Sequence, residues 1–579
     1  MTRHSLLRGS ALFLLGISVA CRSTSPVRAA PVREHADLVL QNGKIVTVDA
    51  KHGTVEALAV RGDRILAVGS NEEIQGYVDA STERIDLEGK LAIPGFIEGH
   101  GHFTGLGKAL QILDLTKVRS WDEVIEIVAA AVKKASPGEW ILGRGWHQEK
   151  WDRPPEGHVG GFPTHHSLSA VSPDNPVRLT HASGHAAFFN AKAMELAGIS
   201  ARTQDPPGGD ILRDENGEPT GVFRERAQGL VGRVRGAGEL RRSREEKEAE
   251  LRRAIRLADQ ECISHGVTSF QDAGSSFAEI DVFERMVGEG KIRTRLWIMV
   301  RASNAQLARK LPAYRKIGTG AHHLTVRAIK QMIDGALGSR GAWLLEPYDD
   351  EPGSRGHNTA SVEELTETAR LAALHGYQLC VHAIGDRANR EVLDIFEKTF
   401  RENPELRDSR WRIEHAQHIA AQDIPRFGQL GVIASMQASH CTSDGPWVIP
   451  RLGRARAAEG AYVWQKLIRS GALVTNGSDV PVEEVDPINS YYAAVSRKLA
   501  DGTRFFPEQR MSRMQALRSY TIDCAKAAFE EGIKGSLSPG KLADIVVLSR
   551  DILTVPEDEI PDTEVRMTIV GGKLLYRRE

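Results

Sequence analysis

The sequence predicts an α/β protein: a (β/α)8 TIM-like barrel with a large insertion after strand 1, plus a small β-sandwich composed of both chain termini. Three observations carry this expectation. The middle of the chain alternates short apolar runs with helical runs, eight of the apolar runs can be counted, and both ends carry only strand-like runs broken by turn residues. Buried apolar strands with intervening helices imply parallel βα units, and eight such units close into a barrel.

The N-terminus comes first. Arg3 and Arg8 precede an apolar run from Ala11 to Ala20. That run is short for a membrane span and has the shape of a signal peptide over residues 1–21. Ser18-Val19-Ala20-Cys21 resembles a bacterial lipoprotein signal, with lipid on Cys21, although Ser18 stands where that pattern usually has leucine. Cleavage after Ala29 is the alternative and would release a soluble periplasmic protein. The expectation is an exported chain, periplasmic or attached to a membrane through Cys21, with residues 22–35 as a flexible tether. No later run is long and apolar enough for a transmembrane helix.

Residues 36–92 read as consecutive hairpins. ADLVLQNGKIVTVDA, ALAVRGDRILAVGS and RIDLEGKLAIPG are β-branched runs broken by Asn-Gly, Gly-Asp and Glu-Gly. LADIVVLSRD and EVRMTIVGGKLLY repeat the pattern within 537–579. Together these ends predict the sandwich.

Residues 93–536 are the expected barrel. Its strands are LAIPGFIEGH, GVTSFQDA (266–273), TRLWIMVRA (294–302), TVRAIKQMI (325–333), YQLCVHAIG (377–385), WRIEHAQ (411–417), VIASMQAS (432–439) and ALVTNGSDV (472–480). Helices are expected over 363–376 and 390–400. The gap between the first two strands is far longer than the others, so an insertion of about 104–262 belongs there. Its last part, a charged helix near 239–262, reads as a solvated face.

Bulk properties exclude several classes. A net charge of −1 leaves no basic excess to attract nucleic acid. The five cysteines, at 21, 262, 380, 441 and 524, form neither a CxxC motif nor an even framework, which argues against disulfide stapling and thiolate zinc sites.

In such a barrel the chemistry gathers at the C-terminal ends of the strands. Strand one ends in His100 and His102, strand four carries Lys330, strand five His382, strand six His415 and strand eight Asp479. Side chains alternate along a strand, so His100 and His102 point the same way. Singly, each has a plainer reading: a hydrogen-bonded core histidine, a buried lysine paired with Asp334, or an aspartate capping a turn. Jointly, six polar residues at one end of the right strands predict a metal site.

HGH on strand one, Lys on four, His on five and six and Asp on eight together resemble the amidohydrolase superfamily. PGFIEGHGHF, IKQMIDGALGSRGA, VHAIGDRANREVLD, IEHAQ, SDVPVEEVDP and GSLSPGKLADIVVL are similar, in order, to segments of its family 3, often called YtcJ-like, and the resemblance runs from about Ala36 to the end. It implies a binuclear site with His100, His102 and Asp479 on one metal and His382 and His415 on the other. A carboxylated Lys330 would bridge the two. Imidazole and carboxylate ligands suit Zn2+, which is the expected metal, while residue type does not exclude Mn, Fe, Co or Ni. Cys380, on the same strand as His382, reads as core.

The implied activity is hydrolysis of a non-peptide C–N bond in a small molecule: an amide, formamide or cyclic amide. A metal-bound hydroxide would attack, with Asp479 as general base and then acid. No protein nucleophile is needed. The insertion is expected to lid the barrel mouth. Trp146, His185, Glu225 and Arg340 are the candidate substrate contacts, with Trp151 and Trp343 in neighbouring segments. Three other readings compete: a deaminase, against which Lys330 argues; an ester or lactone hydrolase; and an inactive surface binding protein. An oligomer is compatible with the sequence.

Overall fold

The computed structural model describes residues 34–240, 242–406 and 408–579. The expected signal peptide, Cys21 and almost all of the tether lie outside the described residues.

Eight parallel strands form the central ring: β1 (Phe96–Gly101), β2 (Val267–Ser275), β3 (Arg295–Val300), β4 (Leu324–Met332), β5 (Gln378–Ala383), β6 (Arg412–His415), β7 (Ile433–Met436) and β8 (Val474–Asn476). Each pairs with the next in chain order. Just beyond β8 two backbone hydrogen bonds reach the first strand: Asp479 N–H donates to His100 O, and His102 N–H to Val480 O, both at 2.7 Å. β1, β3 and β5 are buried along their whole length, as strands covered by helices must be.

Local sequence explains the helices. Val362–His375 starts after Ser361, whose hydroxyl accepts from Glu364 N–H, and stops at Gly376 in the left-handed conformation. The next helix covers Asp386–Glu402, four residues earlier at its start than the expected 390. Arg244–Ser264 is the charged helix. Its first half is solvated, but its second half buries Ala254, Ile255, Ala258, Cys262 and Ile263, so the solvated-face reading holds for only half of it.

LAIPGFIEGH is not one strand. Leu91–Pro94 pairs antiparallel with Ile545–Leu548 in a different sheet, and the barrel begins only at Phe96. Gly95 makes the transfer possible: a Cβ there would lie 2.2 Å from Thr268 Oγ1.

The chain ends build two sheets. One holds Leu38–Gln41, Ala57–Arg61, Arg64–Gly69 and Glu83–Asp86. The other holds Lys44–Val46, Thr54–Val55, Leu91–Pro94, Ile545–Leu548, Val565–Val570 and Lys573–Arg577. Leu38, Val60, Ile45, Ile545 and Ile569, drawn from both sheets, share one apolar core. A buried ion pair, Arg295 Nε to Asp544 Oδ2 at 2.8 Å, ties β3 to this region.

Between β1 and β2 stands a further six-stranded sheet, ordered Gly209–Arg213, Pro219–Glu225, Ala186–Phe189, Val177–His181, Ile141–Trp146 and Leu113–Asp114. It has a core of its own around Trp121, Trp146, Leu179 and Phe188. No described helix is long and apolar enough to cross a membrane.

Candidate metal centre

The six residues singled out in the sequence converge. His100 on β1 and His102, in extended backbone just past its end, turn to one side, and Asp479 comes against both. Its Oδ1 lies 3.5 Å from His100 Nε2 and 3.1 Å from His102 Nε2. Lys330 Nζ lies 3.4 Å from His100 Nε2. The His415 ring sits 4.8 Å from that of His100 and 4.6 Å from that of His382. His415 and Asp479 both adopt positive φ, at 72° and 58°, a costly conformation for non-glycine residues and one that clusters at functional sites.

Partners on the outer side fix which nitrogen faces inward. His100 Nδ1 donates to Glu414, which Arg412 holds from behind with Nε 2.7 Å from Oε1. His415 Nδ1 donates to Gln437 Oε1 at 2.6 Å. In both rings Nε2 is therefore the lone-pair nitrogen turned into the site, the arrangement in which a second group orients a metal ligand.

The inner face fits a divalent cation. His382 Nε2 and Asp479 Oδ1 are buried without a hydrogen-bond partner, a costly state for polar atoms unless something else satisfies them. The ligand atoms of His100, His102 and Asp479 all lie within 4.8 Å of one another. Burial lowers His100 to about 4 and takes His382 and His415 well below the usual imidazole value, so the rings are neutral, as metal ligation requires. Burial alone would raise Asp479, but contact with His102 and His100 holds it well below the carboxylate range. Burial also lowers Lys330 to about 8.

Over this wall opens a cavity of about 700 Å3, lined among others by Arg144, His147, His185, Glu225 and Asp444. His185 Nδ1 bonds Glu225 Oε2 at 2.9 Å, and its ring lies 5.2 Å from that of His382. Glu225 has φ +48° and packs so tightly on Gly335 that a Cβ there would lie 2.2 Å from Oε1. His185 and Glu225 thus stand where a substrate contact should.

Two other candidates do not. Trp146 is fully buried in the core of the inserted sheet, its indole N–H donating to Leu179 O at 2.9 Å, and it does not line the cavity. Arg340 lines a separate small cavity and pairs with Asp350 at 2.9 Å and Glu351 at 3.4 Å. Trp151 is core like Trp146. The plainer reading of Lys330 fails too, because Asp334 accepts instead from the backbone N–H groups of Trp343, Ile384 and Gly385. Cys380 is buried, and burial pushes its thiol up.

The sequence reading missed three residues. Glu414 directly precedes the singled-out His415 and holds His100 instead. Glu98, two before His100, accepts from Ser478 N–H at 2.7 Å and Oγ at 2.9 Å, bracing β1 against the turn that carries Asp479. Burial pushes its carboxyl up to about 8. His440 lies one residue past the expected seventh strand, and its Nε2 is 3.9 Å from Asp479 Oδ2.

This chain belongs to the amidohydrolase family, whose family model matches residues 83–576. Protein LONG AFTER FAR-RED 3 of Arabidopsis thaliana is 35% identical over 554 residues, covering 93% of this chain and 92% of the relative. N-substituted formamide deformylase of Arthrobacter pascens is 28% identical over 555 residues, covering 94% and 98%. The crystal structure of an uncharacterized metal-dependent hydrolase from Pyrococcus horikoshii OT3 superposes with a TM-score of 0.71 at 28% identity, covering 90% of this chain and 99% of that one.

Proposed function

We propose that this chain is a metal-dependent hydrolase of non-peptide C–N bonds, acting on an amide, a formamide or a cyclic amide. The observation that carries the reading is the donorless, buried Oδ1 of Asp479 flanked by the Nε2 atoms of His100 and His102 at the floor of a cavity. Likeness to an N-substituted formamide deformylase over nearly the whole chain supports the C–N bond as target.

His100, His102, His382, His415 and Asp479 would hold one or two divalent cations, which when bound supply Lewis acidity and acidify water. Asp479 accepts the proton of the attacking water and returns it to the leaving nitrogen. Lys330 is nearly inaccessible to solvent, and burial lowers it to about 8, so its ammonium gives up a proton more readily to leave the amine. That amine adds CO2, losing a proton, to give an anionic carbamate in place of a repelling ammonium. The His185–Glu225 pair stands opposite and orients the polar end of the substrate.

The test is a purified protein loaded with Zn2+ and supplied with N-alkyl and N-aryl formamides, simple amides, cyclic imides and lactones. Release of amine from a formamide or amide is expected, abolished in Asp479→Asn. A metal-replete protein that turns over none of the nitrogen substrates faster than that variant overturns the reading, and lactone hydrolysis alone would move it to esters.

A further inference from the structure

Resting on this metal reading, we propose that His440 is itself a metal ligand. His415 Nε2, His440 Nε2 and Asp479 Oδ2 form a second cation position, beside the one framed by His100, His102 and Asp479 Oδ1.

His440 lies in the first turn of the helix Ala438–Leu452, directly after β7, the strand end from which no ligand was expected. Its Nε2 is buried and has no hydrogen-bond partner. Most buried polar atoms are hydrogen-bonded, so a bare Nε2 facing this site calls for a partner. His440 aims this atom at a carboxylate oxygen 3.9 Å away and packs against His415, ring centroids 6.0 Å apart and planes 21° apart.

The bond between His415 Nδ1 and Gln437 commits Nε2 of His415 to the same space. One ligand atom from each of His415, His440 and Asp479 lies within 4.8 Å of the other two. A tetrahedral zinc with bonds of about 2.0–2.1 Å separates its ligand atoms by roughly 3.4 Å, so small shifts suffice to close the set.

The charge also fits. The set carries one carboxylate and two imidazoles, and Asp444, one turn further along the helix, lines the same cavity. Asp479 then serves both positions, one through each oxygen. His382, its ring 4.6 Å from that of His415, remains beside the second position as a further donor.

The test compares wild type with His440→Ala and His440→Phe, the latter keeping a ring to pack on His415 without a lone pair. Equilibrium dialysis against Zn2+ with elemental analysis counts metal, and X-ray absorption at the zinc edge counts imidazoles. Wild type is expected to bind two equivalents. Both variants should lose one of them or hold it at least tenfold more weakly, with fewer imidazoles per zinc and an unshifted melting curve for the metal-free protein.

Equal stoichiometry and affinity in wild type and both variants overturns the proposal while leaving the functional reading intact. A wild-type protein that binds no metal overturns both. Should the variants fold poorly, an imidazole count in wild-type protein that leaves no room for His440 overturns it alone.

Discussion

Glu414 on β6 accepts the Nδ1 proton of His100 on β1, although 314 residues separate them in the chain. The neighbour of Glu414 is His415, so one short strand delivers both a candidate ligand and the group that orients another. Burial alone would raise the Glu414 carboxyl, but Arg412 and His100 hold it well below the usual range.

Glu414→Gln should therefore weaken zinc binding about 10–100-fold, the usual effect of losing an orienting partner behind a ligand. It should also destabilise the fold by about 3 kcal/mol, because Arg412 is left as a buried charge without its counter-ion. Zinc titration and chemical denaturation read the two effects separately, and unchanged zinc affinity would show that His100 needs no such partner.

Trp146→Ala is expected to behave as a core truncation, costing about 3–5 kcal/mol. KM for any substrate found should stay at the wild-type value. A large rise in KM with little loss of stability would return Trp146 to the substrate contacts.

His185 titrates above the ordinary imidazole value: burial opposes the charge, and Glu225 outweighs it. A raised value in the folded state means that this stability is fully present below pH 6.5 and is lost as pH rises through the folded value. In Glu225→Gln the largest contribution opposing burial is lost while Asp334 and Asp479 remain, and His185 should titrate lower than in wild type. Two-dimensional NMR of ring-labelled protein follows the shift, and an unmoved titration would show that Glu225 is not the cause.

Asp544 is held below its ordinary value by Arg295 against the opposing effect of burial. A depressed carboxylate stabilises above its unfolded value, near pH 4, and loses that contribution as pH falls through the folded value. Asp544→Asn should cost about 3–5 kcal/mol at pH 7, leaving Arg295 buried and unpaired. In metal-free protein the stability of the variant should fall less steeply than that of wild type below pH 4. Parallel acid limbs would refute the linkage.

The parts of the site legible in the sequence were those fixed by periodicity. His100 and His102 are two apart on a strand, and Lys330, His382 and His415 each lie inside an apolar run, so strand position placed them. The connecting helices were readable as helical runs between those strands, and the structure adds Ser361 and Gly376 as the caps of one of them. What was not legible depends on contacts between distant elements. Gly95 switches sheets because Thr268 crowds it, and no local pattern announces that. Trp146 and Arg340 looked like lid contacts because tryptophan and arginine suit a substrate. Only the packing shows one in an apolar core and the other spent on two carboxylates. His440 lies beyond its strand on a helix, outside the alternation that found the rest.

The two hydrogen bonds that link Asp479 and Val480 back to His100 and His102 join the earliest and latest pieces of the ring. During synthesis both histidines have emerged 377 residues before Asp479 completes the pair of contacts. A chain halted between His440 and Asp479 carries all the imidazoles of the site but neither the last strand contact nor the shared anion. Metal gripped between the two ends of the ring would therefore report that synthesis has passed Asp479.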